Sequence, residues 1–165
     1  MKRCLIAAAI VLSSATAAAQ SHPACTGSQL GTWKLRSMST TYVDTGETVQ
    51  PYGSHPTGYL SYGRDCRMYA IIALESRKVP AGTVPTDAEK AVLFNDFVAY
   101  AGTYTIDGDK VSHHVDVSWN EAWTGTTQVR QFKIDGNVLH IRSMPAKNPR
   151  DGRVSWSALE WIRVQ

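Results

Sequence analysis

From Gly31 onward, β-branched and aromatic residues take alternate positions for five to ten residues at a time, and each run ends in a cluster of Gly, Asp, Asn or Pro. Alternation puts successive side chains on opposite faces of a strand, and its repetition at short intervals is the pattern of an all-β barrel or sandwich. Strands are expected at 32–43, 57–62, 67–74, 102–107, 110–118, 126–134, 137–143 and 154–164. Asp44-Thr45-Gly46, Gly63-Arg64-Asp65, Asp107-Gly108-Asp109 and Asp135-Gly136-Asn137 carry the turn chemistry of antiparallel hairpins. Eight such strands close into a barrel that side chains fill or that holds one small ligand.

One segment breaks the alternation. Thr86 with Glu89 three positions on forms a capping box, and Leu93, Phe97 and Tyr100 recur at helical spacing. A single helix is therefore expected between the third and fourth strands. It either packs against the barrel or, carried on the polar link from Glu75 to Pro85, covers one end as a lid.

The first 19 residues follow another pattern: Lys2-Arg3, an apolar run from Leu5 to Leu12, then small residues ending Ala17-Ala18-Ala19. This is the form of a secretory signal peptide, too short to be a membrane span. The expected organisation is a signal at 1–19, an N-terminal segment at 20–30 and a barrel domain at 31–165. The expected location is the periplasm or outside the cell, with no integral membrane segment after cleavage. Cleavage would also leave His22 third in the new chain, an arrangement that can suit Cu(II) or Ni(II), against the alternative of a tail carrying a stray histidine.

Composition then narrows the partners. The chain has 17 basic and 14 acidic residues, and loss of Lys2 and Arg3 brings its net charge from +3 to +1, so no nucleic-acid partner is implied. Arg142, Lys147, Arg150 and Arg153 gather near one turn without interleaved aromatics and read as a solvated loop. Cys4 leaves with the signal, so Cys25 and Cys66 remain in a compartment that permits disulfides. They form either one bridge, the favoured reading, or two buried thiols. The cysteines lack zinc-site spacing, no metal site is expected, and oligomeric state is left open.

Leu30-Gly31-Thr32-Trp33 at the first strand and Trp161-Ile162-Arg163-Val164 at the last resemble the barrel signature of lipocalins and calycins, in which an arginine lies against the tryptophan. Pro51-Tyr52-Gly53, Pro56-Thr57-Gly58-Tyr59-Leu60-Ser61-Tyr62, Tyr100-Ala101-Gly102-Thr103-Tyr104, His113-His114-Val115 and Gly125-x-x-Gln128-x-Arg130-x-Phe132 together resemble the small bacterial and fungal lipocalin-like domain family. The resemblance implies a barrel with an internal pocket. Some relatives stand beside pathways for polyketide-like or aromatic compounds, while the export signal and cysteine pair set this chain apart from many of them.

Alternation assigns faces for the candidate chemistry. Gln128, Arg130, Phe132 and Ile134 should point inward, opposite Thr127, Val129, Gln131 and Lys133. An inward arginine must find a carboxylate, carbonyls, water or a ligand; it serves either an internal salt bridge, for instance to Glu160, or a carboxylate, phenolate or enolate oxygen of a bound molecule. On the preceding strand Val111, His113, Val115 and Val117 should share the inner face, with His114 outside, so the histidine pair cannot grip one metal. His113 is either a satisfied core histidine or a general acid/base. Tyr59, Tyr62, Tyr69, Tyr104, Trp119, Trp123 and Trp156 could line or rim a pocket.

The sequence is thus read as an exported barrel that binds a small, mostly apolar or amphipathic molecule with a polar or anionic oxygen. Gln128, Arg130, His113, Tyr59, Tyr104 and Phe132 are the expected ligand contacts, and no cofactor is called for. The alternative is a cofactor-free isomerase, cyclase or dehydratase acting on a polyketide-like or aromatic substrate, with His113 and Arg130 catalytic. A third reading is a structural domain whose barrel is plugged by side chains.

Overall fold

In the computed structural model, which describes residues 24–164, the strands are β1 (Gly31–Tyr42), β2 (Thr48–Val49), β3 (Thr57–Tyr62), β4 (Arg67–Ala73), β5 (Phe97–Asp107), β6 (Lys110–Ser118), β7 (Thr127–Asp135), β8 (Val138–Ser143), β9 (Ala146–Lys147) and β10 (Val154–Arg163). The segment expected to be a signal peptide, and His22, lie outside the described residues. Eight long antiparallel strands run β1-β3-β4-β5-β6-β7-β8-β10, and pairing of β10 back onto β1 closes the barrel. The two-residue strands β2 and β9 extend the rims of β1 and β10. Gly108 and Gly136 hold the positive φ, 57° at each, of two hairpin turns.

Helix α1 (Asp87–Asn95) follows β4, the third long strand, and begins with the expected capping box: the Thr86 side chain accepts from the Glu89 backbone N–H while Glu89 accepts from the Thr86 N–H. It ends earlier than its apolar spacing suggests. Phe97 and Tyr100 belong to β5, where residues 97–103 pair with 67–73 of β4. A full backbone ladder outweighs a weak amphipathic pattern, and none of the helix side chains is buried.

A second departure from simple alternation comes from a β-bulge. The β5–β6 register shifts between Ala101 and Gly102, so that Ala101 faces Val117 while Gly102 faces Val115, with Asp116 inserted between. The extra residue flips the strand beyond it. Val117, expected inside, is 60% exposed, and Trp119 turns inward. Only glycine fits at 102, because a Cβ there would lie 1.9 Å from the His114 carbonyl oxygen.

The core occupies one half of the barrel. Trp33, fully buried, donates its indole N–H to the Gln29 carbonyl at 2.8 Å, and the Arg163 guanidinium lies over its ring at 4.0 Å while donating to the Leu30 carbonyl at 2.7 Å. The Cys25–Cys66 disulfide, with Cα atoms 5.2 Å apart, ties the N-terminal segment to the β3–β4 turn at this same end. Tyr104 completes the seal. It is 1% exposed, donates to the Gly63 carbonyl at 3.0 Å and meets Tyr62 edge-on at 4.8 Å.

Candidate functional site

Opposite the sealed end, an interior cavity of about 190 Å³ opens between the loops. Its mouth is formed by Pro51 and Tyr52, by Phe94 and Asn95 at the end of α1, by a short 3-10 turn at Glu121–Trp123, and by the segment from Met144 to Arg150. Phe94 packs on Trp119 at 6.1 Å, Trp119 on Trp123 at 4.8 Å and Trp123 on Tyr100 at 5.6 Å. One wall is therefore a continuous aromatic surface, and Leu60, Ala70, Ile72, Ile141 and Leu159 supply the aliphatic remainder.

The floor is polar. Inward-facing positions on β5, β6 and β7 bring Tyr100, His113, Gln128 and Arg130 together. His113 is 2% exposed and both ring nitrogens are engaged, Nε2 with the Tyr62 hydroxyl at 2.7 Å and Nδ1 with the Tyr100 hydroxyl at 2.9 Å. A neutral imidazole carries one N–H and one lone-pair nitrogen, so one tyrosine donates to the ring and the other accepts from it. Burial, followed by the Arg130 guanidinium and His114, takes the His113 pKa from 6.5 down to about 3. Burial also holds the Tyr62 and Tyr100 hydroxyls protonated, raising both, with Arg130 pulling the other way. The three groups form a neutral triad beneath the cavity.

Arg130 carries the charge at this floor. Its terminal nitrogens donate to the Gln128 Oε1 at 3.4 Å each, and one of them also to the Val129 carbonyl at 3.1 Å, while Gln128 itself donates to the Thr126 hydroxyl at 3.0 Å. These acceptors are neutral. Glu160, the internal carboxylate considered for Arg130, points outward because Ser155, Ser157, Leu159 and Trp161 hold the inner face of β10. There it accepts from Arg36 at 2.5 Å, with His140 at 3.5 Å, and its pKa is lowered chiefly by the Arg36 hydrogen bond. Among the described residues Arg130 makes no ion pair.

Gln128, Arg130 and His113 thus lie at the cavity, whereas three other expected contacts do not. Tyr59 is 42% exposed on the outer face, because Leu60 and Tyr62 take the inner face of β3. Tyr104 belongs to the sealed end, and Phe132 packs against the core one pair of residues below the cavity. Tyr69 is also exposed, and Trp156 lies outside beneath Arg142 at 4.0 Å. His114 faces outward and bonds to Thr105 and Thr127, and Lys133 pairs with Asp135 at 3.1 Å. Tyr100 was hidden by its helical spacing from Leu93. Tyr52 and Arg150 join the mouth through loops that carry no periodic signal.

Residues 30–164 match the family model described as lipocalin-like domain. A stretch of 67 residues is 33% identical to the 4'-hydroxy-3'-methoxypropiophenone carrier protein of Aspergillus oryzae, covering 36% of this chain and 60% of that protein's length. No solved structure matches the chain significantly.

Proposed function

Because the chain belongs to the lipocalin-like domain family, we propose that it is an exported carrier of a small aromatic molecule whose polar oxygen is held by Arg130 and Gln128. The observation that supports this reading is the cavity itself, aromatic on one wall and carrying the Arg130 guanidinium and the Gln128 amide at its floor. A void of about 150 Å³ accepts benzene, so about 190 Å³ suits a single substituted ring better than a fatty chain or a fused polycycle. The Aspergillus oryzae relative is a carrier of an aryl ketone with a phenolic hydroxyl, which is the same chemical kind. Engagement of both His113 nitrogens favours carriage over turnover, since neither is free to take a substrate proton.

Native mass spectrometry of protein isolated from its own host should reveal a co-purifying molecule of one-ring size. Arg130→Met should keep the fold and weaken binding about ten- to hundred-fold, the range for losing a charge-assisted hydrogen bond. Lys133→Met, on the outer face, should leave binding unchanged. A ligand retained by Arg130→Met and lost by Lys133→Met would sink the assignment.

A further inference from the structure

Resting on that reading, we infer that the cavity takes its occupant preferentially as a single-oxygen anion, a phenolate or its vinylogous equivalent, over the protonated phenol. Charge is the first ground. Among the described residues the cavity lining contains no Asp or Glu; it holds Arg130 at the floor and Lys147 and Arg150 at the mouth. The other titratable groups facing Arg130 are Tyr62 on β3, Tyr100 on β5 and His113 on β6, all three neutral, while Asp116 on β6 and Arg142 on β8 face outward, the former paired with Arg67 and the latter over Trp156. From β8, Ser143 stands opposite Arg130 in the ladder. An inward guanidinium among neutral groups stabilises an anion and penalises a proton placed on it.

The second ground is the shape of the donor set. Gln128 Oε1 sits at equal distance, 3.4 Å, from both terminal nitrogens of Arg130 and so occupies the end-on edge of the guanidinium. A carboxylate gripping that edge would have to displace it. A single oxygen can instead approach beside it, with the Tyr100 hydroxyl as a second neighbour and the ring against Trp119 and Trp123.

4-Nitrophenol is a direct probe, because its own ionisation lies near neutrality and its anion is yellow. In complex with the full-length exported protein, its absorbance titration should shift at least one pH unit toward acid, a tenfold or greater preference for the anion. 4-Nitroanisole, which cannot ionise, should bind at least tenfold more weakly than 4-nitrophenolate, and 4-nitrobenzoate should show no advantage over it. In Arg130→Gln the shift should vanish and 4-nitrophenolate should lose its advantage over 4-nitroanisole. A bound probe whose transition is unmoved or shifted toward alkali overturns the anion inference and leaves the carrier reading standing. Tighter binding of 4-nitrobenzoate than of 4-nitrophenolate overturns the single-oxygen geometry, and binding of none of the three probes overturns both readings.

Discussion

The two ends of this barrel are built from different materials. At the sealed end, tight turns at 63–66, 107–110 and 135–138 leave short connections, and a disulfide, a buried tryptophan–arginine contact and Tyr104 fill what remains. At the open end the connections are long, and exposed side-chain contacts hold them: Arg153 to Asp44 at 2.8 Å and over the Tyr42 ring, Tyr42 to Asp151 at 2.7 Å, Glu75 to the His55 N–H at 3.0 Å. Buried contacts carry stability, whereas solvent-exposed pairs contribute little and adjust easily. The barrel thus divides its labour, with rigidity at one end and access at the other.

The sharpest way to break that contrast is to remove the disulfide. It closes a loop across a sequence separation of 41 residues, and replacing both Cys25 and Cys66 by Ser should cost about 4 kcal/mol in chemical denaturation. Since the bridge lies far from the cavity mouth, the affinity of protein that remains folded should not change. Loss of binding ahead of unfolding would show that the sealed end also shapes the pocket.

A somewhat smaller effect is expected from His113, which sits where the filled half meets the cavity. Its folded pKa, about 3, lies below its ordinary value of 6.5, so between those values the unfolded chain binds a proton that the native state refuses. Stability is complete above about pH 6.5 and falls as the pH drops, by about 2–3 kcal/mol over the first two units. Denaturation at stepped pH should show this slope, and His113→Gln should flatten it. The carboxylates held low by their partners, such as Asp44, Asp151 and Glu160, lose their contribution at lower pH and should leave this upper window alone.

Arg163→Met tests the sealed end more gently. It removes the charge over Trp33 and the bonds to the Leu30 and Ser28 carbonyls, for an expected loss of about 2 kcal/mol in chemical denaturation. Ligand affinity should again be unaffected.

What could be read from the sequence divides along another line. Strand faces are local: Thr57–Tyr62 alternates cleanly between Pro56 and Gly63, and period two alone placed Arg130 and His113 inward, while the long-range contact of Arg163 with the first strand was legible only through the barrel signature. Tyr59 went astray because its ring suggested a pocket while its parity with Leu60 and Tyr62 put it outside. The mouth is non-local. The bulge at Asp116 reverses parity and is marked in the sequence only by Gly102, the 93-97-100 spacing points to a helix although Phe97 and Tyr100 belong to β5, and the contact between Arg150 and Pro51 spans 99 residues of chain. Strand faces follow from neighbours in sequence, while a rim assembled from four separate loops does not.

That long-range contact yields the smallest and most specific expectation. Arg150 stacks over Tyr52 at 4.4 Å, donates to the Pro51 carbonyl at 3.4 Å and also to the Asn95 carbonyl. It thereby supplies from outside the cation that the last turn of α1 lacks, and it straps three of the mouth segments together. Because it is exposed, Arg150→Met should change stability by less than about 1 kcal/mol. The strap should matter to exchange instead: with the three segments released, a neutral ring such as 4-nitroanisole, which does not feel the lost charge, should enter and leave faster, each rate rising severalfold, while its equilibrium affinity moves little because both rates cross the same barrier. Stopped-flow fluorescence of Trp119 and Trp123, which line the cavity, reads those rates directly. Unchanged rates in Arg150→Met would mean that the ligand passes through another part of the rim, and the loop from Met144 to Arg150 would then be a fixed wall of the open end.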